Sequence, residues 1–333
     1  MRVIIILFVI IAAVWGCQPK PIDPAKSAPP YAIQLQKFDS AFFEMDTISV
    51  GKSLQGLMKN YPGFTEDFIT KILMIKTVND TQPIKAFYRA YLPVYKEVKK
   101  VNALRTAMPI VKEGFTHLHY YFPNYPLTHN VLTFVGPFES YGNIVIKDAV
   151  AVGLQMHLGP SSNWYFSDHI QTIYPTYLSR NFTAQNIAIN SVTNIVNDIV
   201  PQLDTGTFIT QIIETGKRQY ILNACLPSLH DTVLLGYTKK QLNAVSQEES
   251  AIWDYIVDNK ILESKDLAVI GSMTREGLNN EVLGEVFPSN VGKFIGYKIV
   301  HTWMQQKEQK NLSMDALLKI PASKIQATVK YNP

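Results

Sequence analysis

Apolar residues recur every three or four positions over most of this chain, a spacing that predicts a mostly helical protein. Leu35, Phe38 and Phe42 open the pattern, and Leu54, Leu57, Met58 and Tyr61 carry it to a stop at Tyr61-Pro62-Gly63. Thr65, Glu66 and Asp67 read as the start of a second helix, with Phe68, Ile72 and Ile75 on one face. Phe87, Tyr91, Tyr95 and Val98 mark a third. Near His129 the period changes to two. Val131, Thr133 and Val135 alternate with Leu132 and Phe134 up to Gly136-Pro137, and 144–146 and 150–156 follow as two more strands linked by Lys147-Asp148. After Pro175 the helical spacing returns through Ile187, Val192, Ile195 and Ile199, with further helices predicted over 206–225, 239–258 and 290–307. Gly292 and Gly296 share a face of the last of these, which predicts a close-packed seam extended by Ile299, Val300 and Trp303. Helices, a cluster of strands and helices again make a mostly helical α+β fold. No boundary divides 31–333, which reads as a single domain.

The N-terminus follows a different pattern. Arg2 precedes an unbroken apolar run from Val3 to Trp15, and the small Gly16 stands just before Cys17. A basic start, a short apolar run and a small residue describe a secretory signal over 1–16. The run is too short to span a bilayer, which takes about 20 apolar residues. Val14-Trp15-Gly16-Cys17 resembles a bacterial lipobox, which makes Cys17 the expected site of lipid attachment. The proline-rich 17–30 reads as a tether between lipid and folded body.

Composition narrows the rest. Apolar residues make up 47% and charged residues 17%, enough for a well-filled core and against disorder. Cys225 is the other of two cysteines, so acylation of Cys17 rules out an intrachain disulfide. The net charge of +4 is modest, and the basic stretch of Lys96, Lys99 and Lys100 reads as a solvated helix face. Nucleic acid is not an expected partner.

Few residues carry recognisable chemistry. Gly216-Lys217 lacks the upstream glycine of a phosphate loop, and neither Gly-x-Ser-x-Gly nor His-Glu-x-x-His occurs. His117 and His119 would point the same way on a strand, but Val111 to Leu118 reads as a helix, which separates them and gives them structural or surface roles. His157 ends a strand beside Gly159-Pro160. A zinc site needs three or four convergent ligands, and the histidine spacing supplies none locally. Asp39, Glu44 and Asp46 lie among evenly spaced aromatics and read as solvated helix edges. Glu214 is a lone carboxylate on an apolar helix and needs a partner. An ion pair with Lys217 or Arg218, one turn on, is the first reading; a remnant of a ligand site is the second.

Several segments together resemble a known group. These are Phe38-Asp39 with Phe42-Phe43, Tyr61-Pro62-Gly63-Phe64, Tyr121-Phe122-Pro123, the run Gly153 to Gly159, and Ile173 to Tyr177. Later come Glu214-x-Gly216-Lys217 with Tyr220, Leu226-Pro227, Gly236-Tyr237-Thr238, Trp253, and the run Gly292 to Val300. Their order and spacing resemble the gliding-motility lipoproteins of the GldB type from the Bacteroidetes, and a lipobox at Cys17 is part of that resemblance. It implies a zincin-like body with a small central sheet flanked by helices, distantly similar to zincin metallopeptidases. Those carry His-Glu-x-x-His on the helix after the sheet and a third ligand, often Glu, on the next. Here Asn190, Ser191 and Asn194 fall at the first three positions and Glu214 at the last. Neutral amides are poor zinc ligands and serine is no general base. The resemblance thus implies a pseudoenzyme with no catalytic residues, no metal and no cofactor. It would sit in the cell envelope, lipid-anchored to a membrane, with the periplasmic face of the outer membrane favoured. Its partners would be other gliding-motility or secretion proteins. The competing readings are a metallohydrolase with dispersed ligands such as His157 and Glu214, and a cell-wall polysaccharide-binding lipoprotein.

Overall fold

In the computed structural model the strands β1 (Gln34–Lys37), β2 (Asn130–Phe134), β3 (Asn143–Ile146) and β4 (Ala149–Gly153) form one sheet in the spatial order β1-β2-β4-β3. The structure describes residues 27–202 and 205–333; Cys17, the signal over 1–16 and most of the tether over 17–30 lie outside them. β1, β2 and β4 run parallel, with Leu35 opposite Val131 and Thr133 opposite Val152, while β3 returns antiparallel to β4. The two central strands are almost entirely buried, so apolar residues fall on both of their faces. The strand read over 150–156 stops at Gly153, and 154–156 close into a 3-10 turn.

Parallel pairing of β1 with β2 requires a long crossover. It contains α1 (Phe38–Phe43), α2 (Thr81–Val101) and α3 (Ala103–Tyr121), besides a helix over Val50–Asn60 and two short turns. Two sequence readings change here. Leu35 lies on a strand rather than a helix; its spacing to Phe38 mimics a helical step because β1 passes directly into α1. The helix read through Phe68, Ile72 and Ile75 is a short α-turn over Phe64–Asp67 followed by a π-turn over Phe68–Ile72, where Leu73 N reaches Phe68 O at 2.8 Å. The wider turn places Phe68 and Ile69 in the core together. Phe68 meets Phe38 and Phe42 edge-on, at 4.9 and 5.1 Å between ring centres. Lys96, Lys99 and Lys100 are exposed along α2, and His117 and His119 are split between the buried and exposed sides of α3.

Asp39 is the third correction. It is no solvated edge but a carboxyl only 5% exposed, accepting a hydrogen bond from the Thr133 hydroxyl of β2. Burial pushes its pKa up, against that hydrogen bond. Glu44 does face solvent, paired with Lys99 and Tyr95.

The second half is helical, with α4 (Ala184–Ile199), α5 (Phe208–Cys225), α6 (Asp231–Leu235) and α7 (Val291–Met304) as the elements that shape the site. The stretch read as 239–258 divides into Lys239–Gln247 and Glu249–Asp258. α5 and α7 pack backbone against backbone. A Cβ on Gly296 would stand 1.9 Å from Ile212 O, and one on Gly216 2.1 Å from Gly296 O. Ile299, Val300 and Trp303 continue the buried side, as their spacing predicts.

The body begins at Tyr31. Its amide donates to Thr116 Oγ1 at 3.0 Å, its hydroxyl donates to Leu127 O at 2.5 Å, and its ring stacks on His129 at 4.6 Å.

Candidate functional site

α4 reads Ala-Gln-Asn-Ile-Ala-Ile-Asn-Ser-Val-Thr-Asn-Ile-Val-Asn-Asp-Ile, with asparagine at 186, 190, 194 and 197. Asparagine is a poor residue for a helix interior, costing up to about 0.7 kcal/mol against alanine at each position. Asn186, Asn190, Thr193 and Asn197 are spaced four, three and four apart, so they share one face. That face lines a cleft of about 420 Å³, within the usual range for ligand sites of roughly 300–1,000 Å³. Thr215, Arg218, Gln219 and Leu222 of α5 form the facing wall, and Tyr174, Leu178, Asn181 and Phe182 form another. Leu234 and Leu235 of α6, together with Glu276 and Lys293, complete it.

The charged groups at the cleft are already engaged. Arg218 donates from Nε to Asn197 Oδ1 at 3.1 Å, from Nη1 to Glu214 Oε2 at 3.1 Å, and from Nη2 to Val200 O at 2.8 Å. The Lys293 ammonium donates to Leu234 O at 3.3 Å and Leu235 O at 3.1 Å, the last carbonyls of α6. Burial pushes its pKa down, and Glu276 opposes that shift. Glu276 in turn accepts from Asn290 Nδ2 at 2.7 Å. The amides are freer. Among the described residues the side chains of Asn181 and Asn190 make no hydrogen bond, and Asn186 uses only its oxygen, which accepts from Thr183 Oγ1 at 2.8 Å.

Of the four degenerate-site positions, only Asn190 lines the cleft. Ser191 is buried and donates to Ile187 O at 2.6 Å, while Asn194 Nδ2 donates to Asn143 O at 2.7 Å. Both face the edge strand β3 and hold α4 against it. Glu214 lies off the cleft face of α5, between Lys217 at 2.7 Å and Arg218 at 3.1 Å. The ion pair read from the sequence is therefore present with both cations. Among the described residues no three His, Cys, Asp or Glu side chains gather as metal ligands. The cleft lining offers carboxamides and one carboxylate, Glu276, already bonded to Asn290, a set that does not fit a zinc site.

Asn143 is a hub that the sequence did not single out. It contacts His157 Nε2 through Oδ1 at 2.9 Å, and its amide nitrogen donates to Ile187 O and Ser191 Oγ. His157 Nδ1 reaches Thr183 O at 2.9 Å. A neutral ring donates through one nitrogen only, so meeting both oxygens with N–H groups takes a second proton. Burial opposes that charge and lowers the pKa from 6.5 to about 4. Below pH 6.5 the unfolded chain then binds a proton that the folded chain refuses. Stability is complete above that pH and falls towards pH 4, by on the order of 3 kcal/mol. Urea unfolding across this range should show the decline, and His157→Gln should flatten it; an equal decline in the variant would assign it to other groups.

A family profile described as gliding motility protein GldB matches residues 19–333. The chain belongs to the GldB family. No curated protein and no solved structure matches it. Membership covers the whole described body of this GldB-family chain, including the cleft, the Asn143 hub and the α5–α7 seam. No helix among the described residues is long and apolar enough to cross a membrane. Sequence reasoning reached Asn190 but missed Asn186, Asn197, Asn143, Glu276 and Lys293. The asparagine spacing on α4 was a visible signal; the other three become neighbours only through the fold.

Proposed function

We propose that this chain is a non-enzymatic envelope lipoprotein, anchored through acylated Cys17, that supports gliding motility and the associated secretion machinery by holding a partner in the amide-lined cleft. The observation that carries the reading is the asparagine face of α4. It follows the sheet, packs on the antiparallel edge strand, and offers neutral hydrogen-bonding groups to the cleft from Asn186, Asn190, Thr193 and Asn197. A zincin-like scaffold with a lost metal centre is part of the proposed reading, carried at Asn190 alone: Ser191 and Asn194 hold β3, and Glu214 on the next helix is turned to an ion pair. A fold of this kind does not imply the activity. Family membership supports an envelope location, and the periplasmic face of the outer membrane with other motility and secretion lipoproteins as neighbours is the setting proposed.

Two measurements on the native host test it. In a deletion strain, the wild-type gene should restore colony spreading, whereas Cys17→Ser should release the chain from the membrane fraction and fail to restore it. Full restoration by soluble Cys17→Ser would sink the anchor. Purified full-length chain should contain no stoichiometric zinc; chelator-sensitive peptide cleavage by it would replace this reading with the metallohydrolase.

A further inference from the structure

We propose that the cleft binds an extended polypeptide segment of about five residues, hydrogen-bonded edge-on to the asparagine face of α4. The proposal rests on the reading of the cleft as the partner-holding surface and adds the chemistry of what is held.

The first argument is pitch. A helix rises about 1.5 Å per residue, so Asn186 and Asn190 are about 6 Å apart along α4, and Asn186 to Asn197 spans about 16 Å. An extended chain advances about 3.3 Å per residue and repeats its outward peptide groups every second residue, at about 6.6 Å. Asn186 and Asn190 are thus spaced to meet alternate peptide units along one edge of an extended strand, and Asn197, about 10.5 Å beyond Asn190, can meet a group further along it. The second argument is chemical matching. A carboxamide offers both donors and an acceptor, the same groups a peptide unit needs. Asn190 has both ends unspent, and Asn186 and Asn197 each keep an amide nitrogen beyond the bonds already described.

The walls agree with a polypeptide. Leu178, Ile189, Val196, Leu222 and Val233 are apolar lining residues suited to side chains that alternate along an extended strand. The cations at the cleft are already engaged. Arg218 is held by Glu214, and the Lys293 ammonium rests on two helix-end carbonyls with one N–H to spare. A strongly anionic ligand would find no free cation cluster there. A glycan wants an open aromatic face for its sugar ring. The two lining rings, Tyr174 and Phe182, pack edge to face on each other at 5.2 Å, and Tyr165 meets Phe182 from another direction at 5.1 Å.

The test uses the full-length protein in detergent micelles and a phage-displayed library of random dodecapeptides. Selection should enrich peptides whose synthetic forms bind saturably, as measured by fluorescence anisotropy. Asn190→Leu should weaken that binding about tenfold or more, since it removes two hydrogen bonds and strands peptide groups. Asn190→Gln should retain part of it, and Asn311→Leu, at an exposed amide elsewhere, should change nothing. Thermal midpoints of all three variants should match the wild type, which separates lost binding from lost folding. No enrichment, binding indifferent to Asn190→Leu, or capture of N-acetylglucosamine oligomers in place of peptides would overturn the polypeptide assignment. Complementation then tells the two levels apart. If Asn190→Leu restores spreading fully, the cleft is not the working surface and the underlying reading falls as well. If it abolishes spreading while no peptide binds, the cleft is used but its ligand is not a polypeptide.

Discussion

Gly296→Ala is expected to destabilise the folded body by at least the upper end of the usual overpacking cost, about 3 kcal/mol. The added methyl would lie 1.9 Å from Ile212 O, an atom of helix backbone that cannot rotate aside as a side chain can. Relief requires α5 and α7 to separate along their contact, which is equally close on the other helix, where a Cβ on Gly216 would meet Gly296 O at 2.1 Å. Separation would also loosen Ile212, Ile299 and Trp303, all of which are fully buried. Gly296→Leu should be worse still and leave little folded protein. Denaturant unfolding midpoints decide the matter. An unchanged midpoint for Gly296→Ala would mean that α5 and α7 do not pack through this seam.

The second large effect is expected at Glu214. Its carboxylate is the counter-charge for Lys217, whose side chain is 2% exposed, and for Arg218, whose side chain is 8% exposed. Lys217 also donates to Leu318 O at 3.1 Å and Ile320 O at 2.8 Å, so the cation cannot swing out to water without breaking those bonds. Glu214→Ala strands two buried cations, at a cost of about 3 kcal/mol, the low end of the range for broken buried pairs because Glu214 is itself partly exposed. The effect should depend on pH in a defined direction. Burial already pushes the Lys217 pKa down and Glu214 opposes that shift; removing the carboxylate lowers it further. Deprotonation then relieves the folded state before the unfolded one, so the variant should regain stability as pH rises towards about 10. A pH-independent loss would assign the cost to packing.

The α5–α7 seam and the partners of Glu214 were legible in the sequence because both depend on residues three or four apart on one helix. The two central strands were legible too, the first as a period-two alternation closed by Gly136-Pro137 and the second as an apolar run read three residues too far, to Met156. Leu35 was misread because a four-residue strand that enters a helix without a turn keeps the helical spacing by chance. Asp39 was misread because its burial depends on Thr133, ninety-four positions away, which sequence neighbours do not reveal. The site was half visible. Reading α4 against a metal-binding template drew attention to 190, 191 and 194, whereas the face that lines the cleft is 186, 190, 193 and 197. Lys293 joins it only because α7 meets the end of α6, Glu276 only because its loop is tied to Asn290, and Asn143 becomes a hub only because β3 lies along α4.

Tyr31 has a mechanical consequence. Where the described chain enters the body, the tyrosine is pinned by two hydrogen bonds and a stacked ring, and three residues later β1 joins the parallel ladder through Gln34 N to His129 O at 2.7 Å. A pull on the upstream chain therefore meets the clamp and the ladder close together, with the strand loaded along its own axis. Bonds sheared together resist tension better than bonds peeled one at a time, and a terminus tied into a sheet does not fray. Under the anchor proposed at Cys17, such a body would transmit force to the partner proposed for the cleft without unravelling from its N-terminal end.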